Sequence, residues 1–294
     1  MPIPHSRKSL GTVIWADAPL YAECESAWEV GRCYKLRANL IKTEKYGEQI
    51  AILQIRLAKD DDRAAGFDSL DLVERSRFDS AAMFAELCEL VAANIADEPL
   101  RTLVLKLLND NEAGLQMLPG SMKHYHPFAG GWLEHTLAVT TSCLQLAQRY
   151  RAHYPDLQPP LNQDVLVAGA VLHDIGRLAE IEEPFTAQPS VPGKLLGHIV
   201  LGRDLVRTAA RDVPDLDSEL LLLVEHLIVS HLALPEWGSP RLPAIPECLI
   251  LHHADDLDAK LEMYARCLMR DNAVGPFTDR DPILGKQLFK GRNA

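Results

Sequence analysis

Apolar residues change their spacing partway along this 294-residue chain, and the change divides it. Three early runs rich in β-branched and aromatic residues, GTVIWA (11–16), CYKLRANLIKTE (33–44) and YGEQIAILQIRLA (46–58), predict strands. Lys45-Tyr46-Gly47-Glu48 reads as the hairpin connection between the last two, with the glycine supplying a positive φ. After the acidic KDDDRAAG (59–66) the period becomes helical: Met83, Leu87, Leu90 and Val91, then Leu100, Leu103, Val104, Leu107 and Leu108. Caps and breakers predict further helices at about 132–151 and 162–176, one opening near Gly197, and one following DLDS (215–218) and stopping before Pro235. A last one runs from Pro246, a first-turn proline with Glu247 beside it, to about Arg270. The tail reads as loop with at most one short terminal helix. The predicted fold class is mainly α: a small β module (1–66), a helical connector (67–120), an all-helical domain (121–270) and a tail (271–294).

Composition places the chain among ordinary globular proteins, with 47% hydrophobic and 24% charged residues. Its six cysteines are scattered and include no C-x-x-C pair, so neither a zinc ribbon nor a disulfide framework is predicted; buried thiols in a reducing cytoplasm are expected instead. No apolar leader and no stretch long enough to span a bilayer is evident, so no membrane role is expected. The net charge is -11 and unevenly spread. Residues 1–66 hold ten Lys/Arg and nine Asp/Glu, a balance of +1, and residues 67–294 hold twenty against thirty-two, a balance of -12. A broad basic face that grips nucleic acid by counterion release is therefore excluded, while a local site is not.

Candidate chemistry comes from polar residues at positions that the apolar pattern buries. Leu220, Val224, Leu227 and His231 form one stripe of a helix, which puts His231 on the buried face. One such histidine is usually a satisfied core residue. Here the situation recurs: His135 near a helix start, His173 and Asp174 at the end of an apolar run, His198 after Gly197, and Asp255 one turn from Leu251. Six imidazole and carboxylate groups at low-dielectric positions are costly unless something cancels the cost, and divalent cations would do so. Nitrogen and oxygen ligands together suit Mn2+, Fe2+, Zn2+ or Mg2+, and residue types alone do not rank them.

The ordered series His135, His173-Asp174, Asp255 resembles the HD-domain metal-dependent phosphohydrolases, with His198 and His231 as the extra histidines of the dinuclear members. Longer stretches, HPFAGGWLEHTLAV (126–139), VLHDIGRLAEI (171–181), LLGHIVLGRDLV (195–206), HLIVSH (226–231) and EWGSPRLPAIPECLILHHADDLDAK (236–260), are similar to the YhaM-type 3'-5' exoribonucleases. That resemblance implies an N-terminal OB-like module joined to an HD domain, and two divalent ions, Mn2+ foremost. His135, His173, Asp174 and Asp255 would hold the first ion, and Asp174, His198 and His231 the second. Such a pair of ions lowers the pKa of water and clamps a scissile phosphate. Arg177 and His126 are the residues expected to hold phosphate or assist the leaving oxygen; the competing readings are a helix C-terminal cation for Arg177 and a loop histidine with a backbone partner for His126. Asp258 is expected to orient a ligand.

Three departures stand out. Arg177 occupies the usual lysine of HDxGK, Leu232 follows His231 where a second histidine is common, and Tyr125 stands at the first of two upstream histidines. The implied substrate is single-stranded RNA. A small nucleotide (a dNTP, a cyclic nucleotide or a guanosine polyphosphate) is the alternative that the acidic body favours, and a catalytically silent signalling module is the third.

Overall fold

The computed structural model describes residues 14, 20–22, 28–29, 32–43, 47–64, 66, 73–183 and 188–291, which belong to two units, Met1–Val73 and Glu74–Ala294. In the first unit, β1 (Tyr34–Thr43) and β2 (Gly47–Leu57) pair antiparallel, with Tyr34 opposite Leu57, Thr43 opposite Gly47 and a register shift between Arg37 and Ala38. Both strands fall where their β-branched runs predict them. The connection at 44–46 and, Ile14 apart, the predicted strand at 11–16 lie outside the described residues. A short helix, α1 (Asp60–Ala64), follows. Its Asp62 is buried because Arg56 clasps it through two nitrogens at 2.6 and 2.8 Å, Lys35 donates at 2.8 Å and the Lys59 N–H at 2.9 Å. The Arg56 hydrogen bond, followed by that from Lys35, holds the carboxyl far below the usual range and ties the hairpin to the helix.

The second unit is helical. Side-chain caps set the starts of α2 (Ser80–Asn94), where Asp79 accepts from the Ala82 N–H, and α3 (Glu98–Asp110), where Asp97 accepts from the Leu100 N–H. Then come α4 (Glu112–Met117), α5 (Gly131–His153) and α6 (Gln163–Leu172), the last capped by Asn162. Every residue of α6 from Val165 to Leu172 is buried, as expected of a helix apolar all round, and it packs against α2, α3 and α5. After α7 (Arg177–Glu180) and a small hairpin of β3 (Ile181–Glu183) and β4 (Gln188–Pro189), three long helices complete the unit: α8 (Val191–Ala210), α9 (Ser218–Ser230) and α10 (Pro246–Arg270). Both α9 and α10 pack on α6. The Asn162 N–H donates to buried Glu247 at 2.6 Å and so pins the start of α10 to that of α6. No helix among the described residues is long and apolar enough to cross a membrane.

Two predicted boundaries differ from the structure. α6 stops at Leu172 rather than Gly176, and residues 173–176 form successive turns. There the N–H groups of Ile175 and Arg177 donate to carbonyls three residues back, Leu172 and Asp174, at 3.1 Å each, and the indole of buried Trp132 also donates to the Asp174 carbonyl at 3.1 Å. α8 starts at Val191, ahead of the expected opening at Gly197, because Ser190 caps it and Pro192 sits in its first turn. Gly197 instead marks a kink inside α8, at φ 72° and ψ 162°, a conformation that only glycine adopts readily. The described tail residues contain no helix; Phe277 and Phe289 pair there in an isolated antiparallel bridge.

Candidate metal centre

Five helices deliver the six expected residues to one place. His135 lies in the second turn of α5, His173 and Asp174 directly follow α6, His198 follows the α8 kink, His231 follows α9 and Asp255 sits inside α10. All are buried except His198, whose side chain is 14% exposed. The approach of α8 depends on Gly176: a Cβ added there would lie 1.9 Å from the His198 carbonyl oxygen and 2.4 Å from the Gly202 nitrogen. Gly176→Ala must push α8 away from Asp174. The expected cost is about 1–3 kcal/mol of stability, measured by thermal unfolding, with weaker divalent-ion binding in the same variant.

Two clusters result. In the first, His135 Nε2 is 3.2 Å from Asp255 Oδ1, and His173 Nε2 is 3.3 Å from His135 Nε2 and 3.9 Å from Asp255 Oδ1. In the second, Asp174 Oδ1 is 3.2 Å from His198 Nε2 and 3.8 Å from His231 Nε2. Within each cluster the three ligand atoms lie within 4.8 Å of one another. Asp174 stands between the clusters, since its Oδ2 is 3.9 Å from His173 Nε2.

The outer nitrogens of the four rings explain how the inner ones are aimed. His173 Nδ1 lies 2.8 Å from the Ala170 carbonyl and His231 Nδ1 2.8 Å from that of Ile228; a carbonyl only accepts, so in their neutral form both rings carry the proton on Nδ1 and turn a bare Nε2 inward. Carboxylates do the same elsewhere: Asp258 Oδ2 accepts from His135 Nδ1 at 2.7 Å, and Glu180 Oε1 lies 3.2 Å from His198 Nδ1. This is how metal-ligating histidines are oriented from behind. Among the described residues, Asp174 Oδ1 and His198 Nε2 are buried with no hydrogen-bond partner although they face each other at 3.2 Å. Buried polar atoms rarely go unpartnered, and a divalent cation would satisfy both. The residues present therefore fit a metal.

The local charges agree. Burial opposes ionisation of Asp174 most strongly, but the Arg177 guanidinium together with the rings of His198, His173 and His231 overcomes it and holds the carboxyl well below its ordinary range. Burial, then the charge of His173, pushes His231 down to about 4. For His135, burial is overcome by the carboxylates of Asp255 and Asp258, which raise it to about 10. At neutral pH a proton on His135 thus occupies the first cluster when no metal does. Uptake of an ion there is expected to release about one proton at pH 7 to 8, and its affinity to rise with pH until about 10, where His135 is already neutral. Filling the second cluster draws no such proton from His231. Titration calorimetry in buffers of different ionisation enthalpy measures both.

Of the remaining expected residues, Arg177 bonds to Asp174 and His126 to Asp258. Arg177 opens α7, so it is not a helix C-terminal cation; its Nε donates to Asp174 Oδ2 at 2.9 Å, Nη1 to Glu180 at 2.8 Å and Nη2 to the Tyr125 hydroxyl at 2.9 Å. His126 is buried, and its ring partner is a carboxylate rather than backbone: Nε2 lies 3.0 Å from Asp258 Oδ2, the oxygen that also takes His135. Among the described residues His126 Nδ1 has no hydrogen-bond partner, and it lies 4.0 Å from Glu134. Asp258 fixes the ring of His135, one of the candidate ligands, through its Oδ2. His226 accepts the Ala244 N–H at 3.0 Å, a structural role. Two participants have no role in the sequence reading: Tyr125, noted there only as a departure, and Glu180. Glu180 stands three residues after Arg177, the spacing of an ion pair along a helix, which is the one signal that marked it. Burial raises the Tyr125 phenol well above its usual value, so it keeps its proton and donates to Asp174 Oδ2 at 2.9 Å.

Residues 132–260 match the family model of the HD domain. No solved structure matches the chain. The matched segment contains all six clustered residues, while Tyr125 and His126 precede it. The match over residues 132–260, with His/Asp groups able to hold a metal, supports an HD-type metal-dependent phosphohydrolase.

Proposed function

We propose that the chain is a phosphodiesterase that shortens single-stranded RNA from its 3' end and releases nucleoside 5'-monophosphates, using two divalent ions, Mn2+ foremost. The observation that carries this reading is the pair of clusters with Asp174 between them, one of its oxygens left bare toward His198 and His231. Ions bound there supply Lewis-acid polarisation of the phosphate and a water of lowered pKa. The protein's part is to place the ligands. Asp258 and Glu180 fix the rings of His135 and His198, the carbonyls of Ala170 and Ile228 fix His173 and His231, and Arg177 steadies Asp174. Hydrolysis adds water to the last phosphodiester, breaks its bond to the 3'-oxygen of the penultimate nucleotide, and returns a proton to that oxygen. His126 acts through Asp258 on His135. An OB-like N-terminal module that contacts RNA completes the reading, with the strands β1 and β2 as its described part.

The second reading, a small nucleotide substrate, is favoured by the charge of -12 on residues 67–294. Incubating the protein and Mn2+ with 5'-labelled single-stranded RNA separates the two. A ladder that shortens from the 3' end is the expected result. Intact RNA beside hydrolysis of a dNTP, cyclic nucleotide or guanosine polyphosphate transfers the function to the second reading, and no hydrolysis of either leaves a silent module.

A further inference from the structure

Tyr125 lies outside the matched HD segment, yet its hydroxyl reaches the carboxylate between the two clusters. It donates to Asp174 Oδ2 at 2.9 Å and accepts from Arg177 Nη2 at 2.9 Å, and Arg177 Nε donates to that same Oδ2 at 2.9 Å. Oδ2 therefore has a donor for each of its two in-plane lone pairs. Oδ1 has none, and it faces His198 Nε2 at 3.2 Å and His231 Nε2 at 3.8 Å. A carboxylate that exchanged its two oxygens by rotation would have to break both bonds, and buried hydrogen bonds to an ionised acceptor are the strong kind. Asp174 is completely buried, so water offers no substitute donor.

We propose that Tyr125 and Arg177 form one positioning pair that commits Asp174 Oδ1 to the ion held with His198 and His231. The guanidinium is suited to the task because one planar group presents Nε to Asp174 and Nη2 to Tyr125 at once, whereas an ammonium offers a single nitrogen. Arg177 and Tyr125, two of the three places where the chain leaves the pattern it resembles, thus meet in one hydrogen bond, which accounts for their occurring together. The pair makes the two clusters unequal: Asp174 serves the second with a bare oxygen and the first only through an oxygen that already has two donors.

The inference rests on the metal-dependent reading, and its test reads metal binding rather than turnover. Mn2+ is titrated into metal-free full-length protein, as wild type, Tyr125→Phe, Arg177→Lys and the double variant. Each is repeated in an Asp255→Asn background, which leaves the second cluster whole and reads that ion alone. Tyr125→Phe is expected to weaken the second ion about 10–100-fold and leave the first within experimental error. Arg177→Lys should do the same, and the double variant should be no worse than the weaker single, because each change disables the same unit. Thermal unfolding of each variant accompanies the titration, and Tyr125→Phe is expected to melt close to wild type. Unchanged affinity for both ions in Tyr125→Phe sinks the pairing alone. So does equal weakening of both ions with a large drop in melting temperature, which marks the phenol as merely structural. A wild type that binds no ion overturns the metal-dependent reading as well.

Discussion

Replacing Asp174 by Asn is expected to abolish the phosphodiesterase activity, lowering the rate by at least about 10³-fold. Asp174 is the anionic member of the second cluster, whose other members are imidazoles, and its second oxygen approaches His173 in the first. Asn keeps the size and an acceptor but removes the charge. Metal activation of a phosphoryl group contributes several kcal/mol, and about 1.4 kcal/mol is tenfold in rate. The fold should survive, because Arg177 retains Glu180 at 2.8 Å and the amide oxygen can still accept from Tyr125 or Arg177. A stability loss of about 1–3 kcal/mol is expected from the weakened buried bonds. Kinetics on labelled RNA, with circular dichroism and melting curves on the same sample, measure both effects. A variant that keeps its activity within tenfold of wild type would remove Asp174 from the centre of the account.

The second large effect concerns the ions themselves. Stripping the protein with a chelator is expected to lower its melting temperature by about 5–10 °C, recovered when Mn2+ is restored. An ion present at about 100 times its dissociation constant stabilises the folded state by roughly 2.7 kcal/mol, and a domain of 150–250 residues gains about 2–4 °C per kcal/mol. Two ions would give more were the metal-free centre wholly unsatisfied. It is not: the proton on His135 offsets the charge of Asp255 and Asp258, and Arg177 neutralises Asp174. The part with no internal remedy is the facing pair Asp174 Oδ1 and His198 Nε2. The loss should therefore shrink in Asp174→Asn. A melting temperature indifferent to chelator and to Mn2+ contradicts the account.

Periodicity located the helices well wherever a buried stripe repeats every three or four residues, as in α2, α3 and α9, and Pro246 with Glu247 fixed the start of α10. It failed where backbone geometry is decided by distant partners. The turns that follow α6 carry a carbonyl, that of Asp174, which also accepts from Trp132, a contact 42 residues apart in sequence. The kink at Gly197 and the close passage of α8 over Gly176 have no apolar signature; a glycine in the sequence is compatible with a cap, a kink or a close approach, and only the structure selects among them. The six clustered residues were legible because charged and imidazole groups on apolar faces are conspicuous. Tyr125 stood out only as a departure from the resembled pattern, and its role was not legible, because a tyrosine in a loop raises no such alarm and its partner Asp174 is 49 positions away. Arg177 was seen but assigned outward to phosphate or to a helix end, since sequence does not reveal that Glu180 and Tyr125 would occupy its other nitrogens.

The central claim is that two separate clusters each hold a divalent cation, with Asp174 between them. Anomalous diffraction at the manganese edge, from crystals of the full chain grown with Mn2+, tests it most directly. The expected result is two peaks per chain, one within bonding distance of His135, His173 and Asp255, the other within bonding distance of Asp174, His198 and His231. Maps with no peak at either cluster, in crystals where both sets of side chains are ordered, would contradict it.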